Sequence, residues 1–75
     1  MDIKIKVGLR IRELRKSLGL TQEALAFKAD MDKTYLNEVE NGKRNVSIVN
    51  LEKIVIALET TFAVFFQKEQ ISDKT

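Results

Sequence analysis

Residues 20–45 read LTQEALAFKADMDKTYLNEVENGKRN. Two short apolar groups stand in this polar stretch, Ala24, Leu25 and Ala29 followed by Leu36 and Val39, at helical spacing. Thr21 is a suitable N-cap for the first helix, although Ala24 stands where a complete capping box would have Glu or Gln. Asp32 caps the second helix, and Gly42 supplies the left-handed residue that ends it after Asn41. The connection between them runs only from Ala29 to Met31. That is too short for antiparallel packing, so the two helices must cross steeply.

The second of these helices carries more polar side chains than a core-packing role requires. With Leu36 as origin, Asn37, Asn41, Thr34 and Glu38 fall at about 100°, 140°, 160° and 200° around the helix. They therefore face away from the core side held by Leu36 and Val39.

Working outward, Val7, Ile11, Leu14 and Leu18 form the stripe of a helix that precedes the pair, with Ile3 extending it backwards and Gly19 ending it. Downstream, Ser47 opens a fourth helix with Ile48, Leu51, Val55 and Leu58 on one face. Thr61 can cap a fifth that contains Phe62, Phe65 and Phe66. Residues 67–75, QKEQISDKT, are polar and are expected to fray. No proline, internal repeat or linker interrupts this pattern. The fold class expected is all-α: one domain over residues 1–75, a compact five-helix unit with its core between about residues 3 and 66.

With 75 residues the chain is near the lower size at which one core holds a fold without staples, so a second copy would add stability. At 32% charged and 44% hydrophobic it is charge-rich yet too apolar to be disordered. It has neither Cys nor His. That removes the usual zinc ligands, the commonest general base and thiol or Ser/His nucleophile systems, so neither an enzyme, a metal site nor a cofactor is expected. No leader and no run of about 20 apolar residues is visible, which points to a cytoplasmic protein without a membrane partner.

The net charge of +2 is unevenly distributed: residues 1–20 carry +4, residues 21–42 carry −3 and residues 43–53 carry +2. Positive charge thus clusters on the first helix and just beyond the Asn41-Gly42 turn, a footprint suited to a polyanion. A merely solvated, uneven surface is the plain alternative.

At this point the resemblance becomes specific. The stretch 20–45 resembles the helix-turn-helix of the lambda-repressor and Cro-like family: Leu25 and Ala26 give an aliphatic and then a small residue, Ala29, Met31, Leu36 and Val39 fill the other buried positions, and Gln22 and the Glu40-Asn41-Gly42 ending also match. It is most similar to the controller proteins of restriction-modification systems, which share the Asp32-Lys33-Thr34-Tyr35 opening, the Arg44-Asn45 pair and the Phe65-Phe66 pair. One departure is Asp30, where the turn usually has Gly; Asp tolerates the left-handed region better than most residues.

The resemblance implies a sequence-specific DNA-binding regulator of transcription. In such proteins the N-terminal turn of the recognition helix enters the major groove first. Lys33 is then a candidate for guanine, Thr34 for a base edge or a thymine methyl, and Asn37 for adenine. Tyr35 is a candidate for phosphate or a deformable step, Glu38 either accepts from cytosine N4 or repels the wrong register, and Arg44 grips the backbone or turns towards a base or a narrow minor groove. Thr21, Gln22 and the amides that start the second helix suit one phosphate, and Asn41, Lys43 and Asn45 suit the backbone beyond the third helix. Arg15 and Glu40 both lie close to the apolar stripes of their helices and are expected to form a semi-buried ion pair, which the resemblance also implies.

The fourth helix carries a second apolar strip, Val49 and Ile56, opposite Leu51. With Val64, Phe65 and Phe66 it is expected to form the interface of a symmetric homodimer. Partners expected are double-stranded DNA, a second copy and RNA polymerase, with the protein on the nucleoid. Rival readings are a phage-type repressor or an antitoxin-type autorepressor, and, from another class, a protein-binding adaptor that keeps the fold without DNA affinity.

Overall fold

The computed structural model describes residues 1–67, and within them the chain forms five helices: α1 (Ile3–Ser17), α2 (Gln22–Lys28), α3 (Lys33–Glu40), α4 (Ile48–Ala57) and α5 (Phe62–Phe65). The fraying expected over 67–75 lies, Gln67 apart, outside the described residues.

Each helix starts on a polar side chain that accepts an otherwise orphaned amide. Asp2 accepts from Lys4, Thr21 from Ala24, Asp32 from Thr34 and Tyr35, Ser47 from Asn50, and Thr61 from Val64. The C-terminal ends share one solution. Gly19, Asp30, Gly42 and Glu59 all have positive φ, between 56° and 73°. After each of them a 6→1 bond closes the helix: Leu20 N–H donates to Arg15 O, Met31 to Ala26, Lys43 to Glu38 and Thr60 to Val55. These are Schellman ends on α1 to α4, two of them built without glycine. The expected left-handed turn at Asp30 is present; the one at Glu59 has no glycine signal in the sequence. Lys28 Nζ stands 2.6 Å from Glu59 Oε2, and this hydrogen bond and its charge hold the Glu59 carboxyl below the ordinary range.

The core joins all five helices: Val7 and Ile11; Leu25, Ala26 and Ala29; Leu36 and Val39; Leu51, Ile54, Val55, Ala57 and Leu58; and Phe65. The apolar stripes are shorter than the spacing predicts. Ile3, Leu18 and Ile48, at helix ends, are exposed. Ile54, outside the expected stripe, is fully buried. Gly8 sets the distance between α1 and α3: a Cβ there would lie 2.5 Å from the Glu40 carbonyl oxygen and 2.6 Å from that of Val39. The end of α3 therefore rests directly on the α1 backbone.

Arg10 belongs to the same core, which its charge did not foretell. It is 4% exposed, yet its Nε and Nη2 donate to the carbonyls of Phe65 and Val64 at 2.8 and 2.7 Å, and Nη1 meets Glu13 at 2.9 Å. The guanidinium satisfies the carbonyl end of α5 and so ties that short helix to α1.

Candidate nucleic-acid interface

The outward face of α3 is set by what fixes its inward face. Leu36 and Val39 are buried, and Glu40 is 2% exposed. Arg15 donates from Nε to Glu40 Oε2 at 2.7 Å and from Nη2 to Oε1 at 3.0 Å, and from Nη1 to the Leu20 carbonyl. The ion pair expected from the sequence is present, forked and buried. With α3 pinned this way, Lys33, Thr34 and Asn37 stand exposed on one side, and Tyr35 and Glu38 are half-buried at its flank.

A closed ring of side chains surrounds the junction of α1, α2 and α3. Glu40 Oε1 accepts from Gln22 Nε2 at 3.0 Å, and Gln22 Oε1 accepts from Asn37 Nδ2 at 3.0 Å. Asn37 Oδ1 then accepts from Asn41 Nδ2 at 3.3 Å, and Asn41 Oδ1 from Arg12 Nη2 at 3.0 Å. Arg12 Nε, 3.5 Å from Glu40 Oε1, completes it. Each amide uses oxygen as acceptor and nitrogen as donor, which fixes its orientation and leaves every amide spare capacity for an outside partner. Gln22, Asn37 and Asn41, read separately from the sequence, are thus brought together, and the negative carboxylate at the root of the ring is matched by two arginines.

Arg12 is the member that sequence reasoning missed. Its spacing of three from Arg15 places both on one face of α1, and that signal could have identified it. Asn50 was missed too: its Nδ2 donates to the Tyr35 hydroxyl at 3.2 Å, so that hydroxyl is directed at the first turn of α4.

Beyond α3, Lys43, Arg44 and Asn45 are exposed in the loop that leads to α4, and Thr21 is exposed at the start of α2. Lys43 and Asn45 carry no side-chain bond that would compete with a phosphate among the described contacts. Arg44 does: its Nε lies 3.2 Å from Glu38 Oε1, and its guanidinium carbon lies 4.9 Å from the Tyr35 ring centroid.

The apolar strip on α4 is open. Val49 and Ile56 are 64% and 66% exposed, and Val64 and Phe66 are partly exposed nearby in the chain. Phe65 corrects the expectation. It is fully buried, because α5 turns it inward between α1 and α4 while Phe66 packs edge-on against it at 4.9 Å. It supplies core, not interface; Phe62, stacked on Phe66 at 6.3 Å and 41% exposed, is the aromatic that reaches the surface in its stead.

The arrangement matches known proteins in sequence and shape. Residues 11–65 match the helix-turn-helix family model. The chain is 50% identical over 66 residues to the control protein C.MunI of a Mycoplasma species, spanning 87% of this chain and 89% of that one. It is 48% identical to the restriction-modification controller protein C.AhdI from Aeromonas hydrophila, whose structure superposes with a TM-score of 0.76 over 77% of this chain and 88% of the other. The restriction-modification controller protein C.Esp1396I, solved as a tetramer in complex with its natural 35 base-pair operator, is 36% identical and superposes at 0.89 over 97% of this chain and 99% of its own. The chain belongs to the helix-turn-helix family and, within it, to the controller proteins of restriction-modification systems, which are transcriptional regulators.

Proposed function

We propose that this chain is a homodimeric regulator that binds a two-fold symmetric operator and controls its own operon in a restriction-modification system. The observation that carries the reading is α3 itself: Lys33, Thr34 and Asn37 stand exposed on a helix that a buried ion pair and a ring of amides hold rigid. Reading side chains work best when their supporting element does not move, because less order has to be created on binding.

Lys33, Thr34 and Asn37 are assigned to base edges, with Tyr35, Glu38 and Arg44 at the margin of the same face. Thr21, Gln22, Asn41, Lys43 and Asn45, with Arg12 added, are assigned to phosphates. Val49, Ile56, Val64 and Phe66 are assigned to the interface between copies. A two-fold dimer would set two recognition helices about one turn of DNA apart. Operator occupancy would then act on transcription through RNA polymerase, in the cytoplasm on the nucleoid. Among the described residues no helix is long and apolar enough to cross a membrane.

Selection of bound sequences from a random duplex pool tests this. The expected product is an approximate palindrome with half-sites centred about 10 base pairs apart. Enriched sites without symmetry would remove the dimer, and no enrichment at all would favour a protein-binding adaptor.

A further inference from the structure

Arg44, at the margin of the interface, has its charge already matched. Its Nε lies 3.2 Å from Glu38 Oε1, and its guanidinium sits over Tyr35, whose hydroxyl is held by Asn50. Glu38 holds the loop a second time, since its carbonyl accepts the Lys43 N–H at 2.9 Å. One residue therefore both anchors the start of the loop and neutralises the arginine that the loop carries. Both side chains remain open to a ligand, at 51% exposure for Arg44 and 40% for Glu38.

We propose that Glu38 is a specificity-determining residue that acts through Arg44: it holds the guanidinium in a closed pair in the free chain, and the pair opens only on a duplex that offers partners to both. The inference rests on the DNA-binding reading above. On a random duplex the closed pair presents no net charge to the phosphates. Opening it there would leave a carboxylate facing a polyanion. On the operator the exchange balances: guanine O6 and N7 accept the Arg44 fork, and a base amino group such as cytosine N4 donates to Glu38. Discrimination then comes from a repulsive element against wrong sequences as well as an attractive one for the right sequence.

The test compares wild type, Glu38→Gln, Arg44→Ala and the double variant on two duplexes of equal length, one recovered by selection from a random pool and one scrambled, across a salt series. Glu38→Gln should raise affinity for the scrambled duplex about fivefold and steepen its salt slope by about 0.9, as one more cation becomes available. Affinity for the selected duplex should stay level or fall by up to about twofold, so that the ratio between the two drops about five- to tenfold. In the Arg44→Ala background the same change, which keeps an acceptor oxygen for a base amino group, should leave the ratio within about twofold of its starting value, since the residue that Glu38 acts through is gone. An NMR signal for the Arg44 Nε–H, protected in the free wild-type chain, should lose protection in Glu38→Gln and shift on the selected duplex. Equal strengthening on both duplexes in the wild-type background, or an effect of Glu38→Gln on their ratio that persists without Arg44, would overturn the proposal. A wild-type chain that does not prefer the selected duplex would instead overturn the DNA-binding reading, and it would do so before any variant is compared.

Discussion

Glu40 closes α3 and Arg15 stands near the end of α1, and their charged groups meet inside the protein at 2.7 and 3.0 Å. The carboxylate is fully buried, yet Arg12 and Gln22 also reach it. A single carboxylate thus joins the first three helices and roots the amide ring that reaches Asn37 on the outward face. Support of the fold and orientation of the interface meet in this residue.

Glu40→Ala should accordingly strand Arg15 in the core and release the ring. Loss of one partner of a buried pair costs about 3 to 5 kcal/mol. In a domain of this size that is a large share of the total stability. Urea unfolding should show it, and a loss below about 1 kcal/mol would mean that the pair is exchangeable with water.

Arg10→Met should act locally. The carbonyls of Val64 and Phe65 lose charged donors, at about 2 to 3 kcal/mol, while the aliphatic stem is replaced. Amide hydrogen exchange should accelerate at Phe65 and Phe66 more than in α1 to α3. Uniform acceleration would show that α5 and the rest unfold as one unit.

Asp30→Gly should stabilise. Asp30 has φ 56° in the turn between α2 and α3, where a side chain costs about 1 kcal/mol relative to glycine. The melting temperature should rise by about 4 to 8 °C, and an unchanged midpoint would indicate that Asp30 makes a compensating contact in solution.

Ile56→Asp should leave helical content intact, since Ile56 is 66% exposed. It should weaken self-association and DNA affinity together. Sedimentation equilibrium and circular dichroism on one sample decide the matter: an unchanged dimer moves the interface elsewhere, and a collapse of helicity makes Ile56 part of the fold.

Thr34→Ala and Lys43→Ala separate reading from gripping. Thr34 is exposed, and its backbone N–H, not its side chain, bonds to the Asp32 cap at 2.9 Å, so truncation spares the fold. It should cost about 1 to 3 kcal/mol on the selected duplex and little on random DNA. Lys43→Ala should weaken both duplexes by similar factors and reduce the salt slope by about one. Equal losses for Thr34→Ala on both duplexes would transfer sequence reading to Lys33, Asn37 and Arg44.

Much of this was legible without coordinates because it depends on near neighbours in the chain. The caps at Thr21, Asp32, Ser47 and Thr61, the steep connection through Asp30 and the outward set on α3 all follow from spacing and local hydrogen bonding. The Arg15–Glu40 pair was also legible, since both residues sit beside apolar stripes.

Tertiary packing decided the rest. Whether an apolar residue at a helix end is covered depends on what packs against it, and Ile3 and Ile48 came out exposed while Phe65 left the surface for the core. Arg10 is buried because the carbonyl end of α5 happens to lie over it, 54 and 55 residues away in the chain. The ring from Arg12 to Gln22 and the clamp of Glu38 on Arg44 likewise depend on helices meeting at particular distances, with Gly8 bringing α1 against α3. Periodicity in one helix carries no information about those distances: it determines which face turns inward, and only the packed neighbours determine what that face, and the one opposite, will touch.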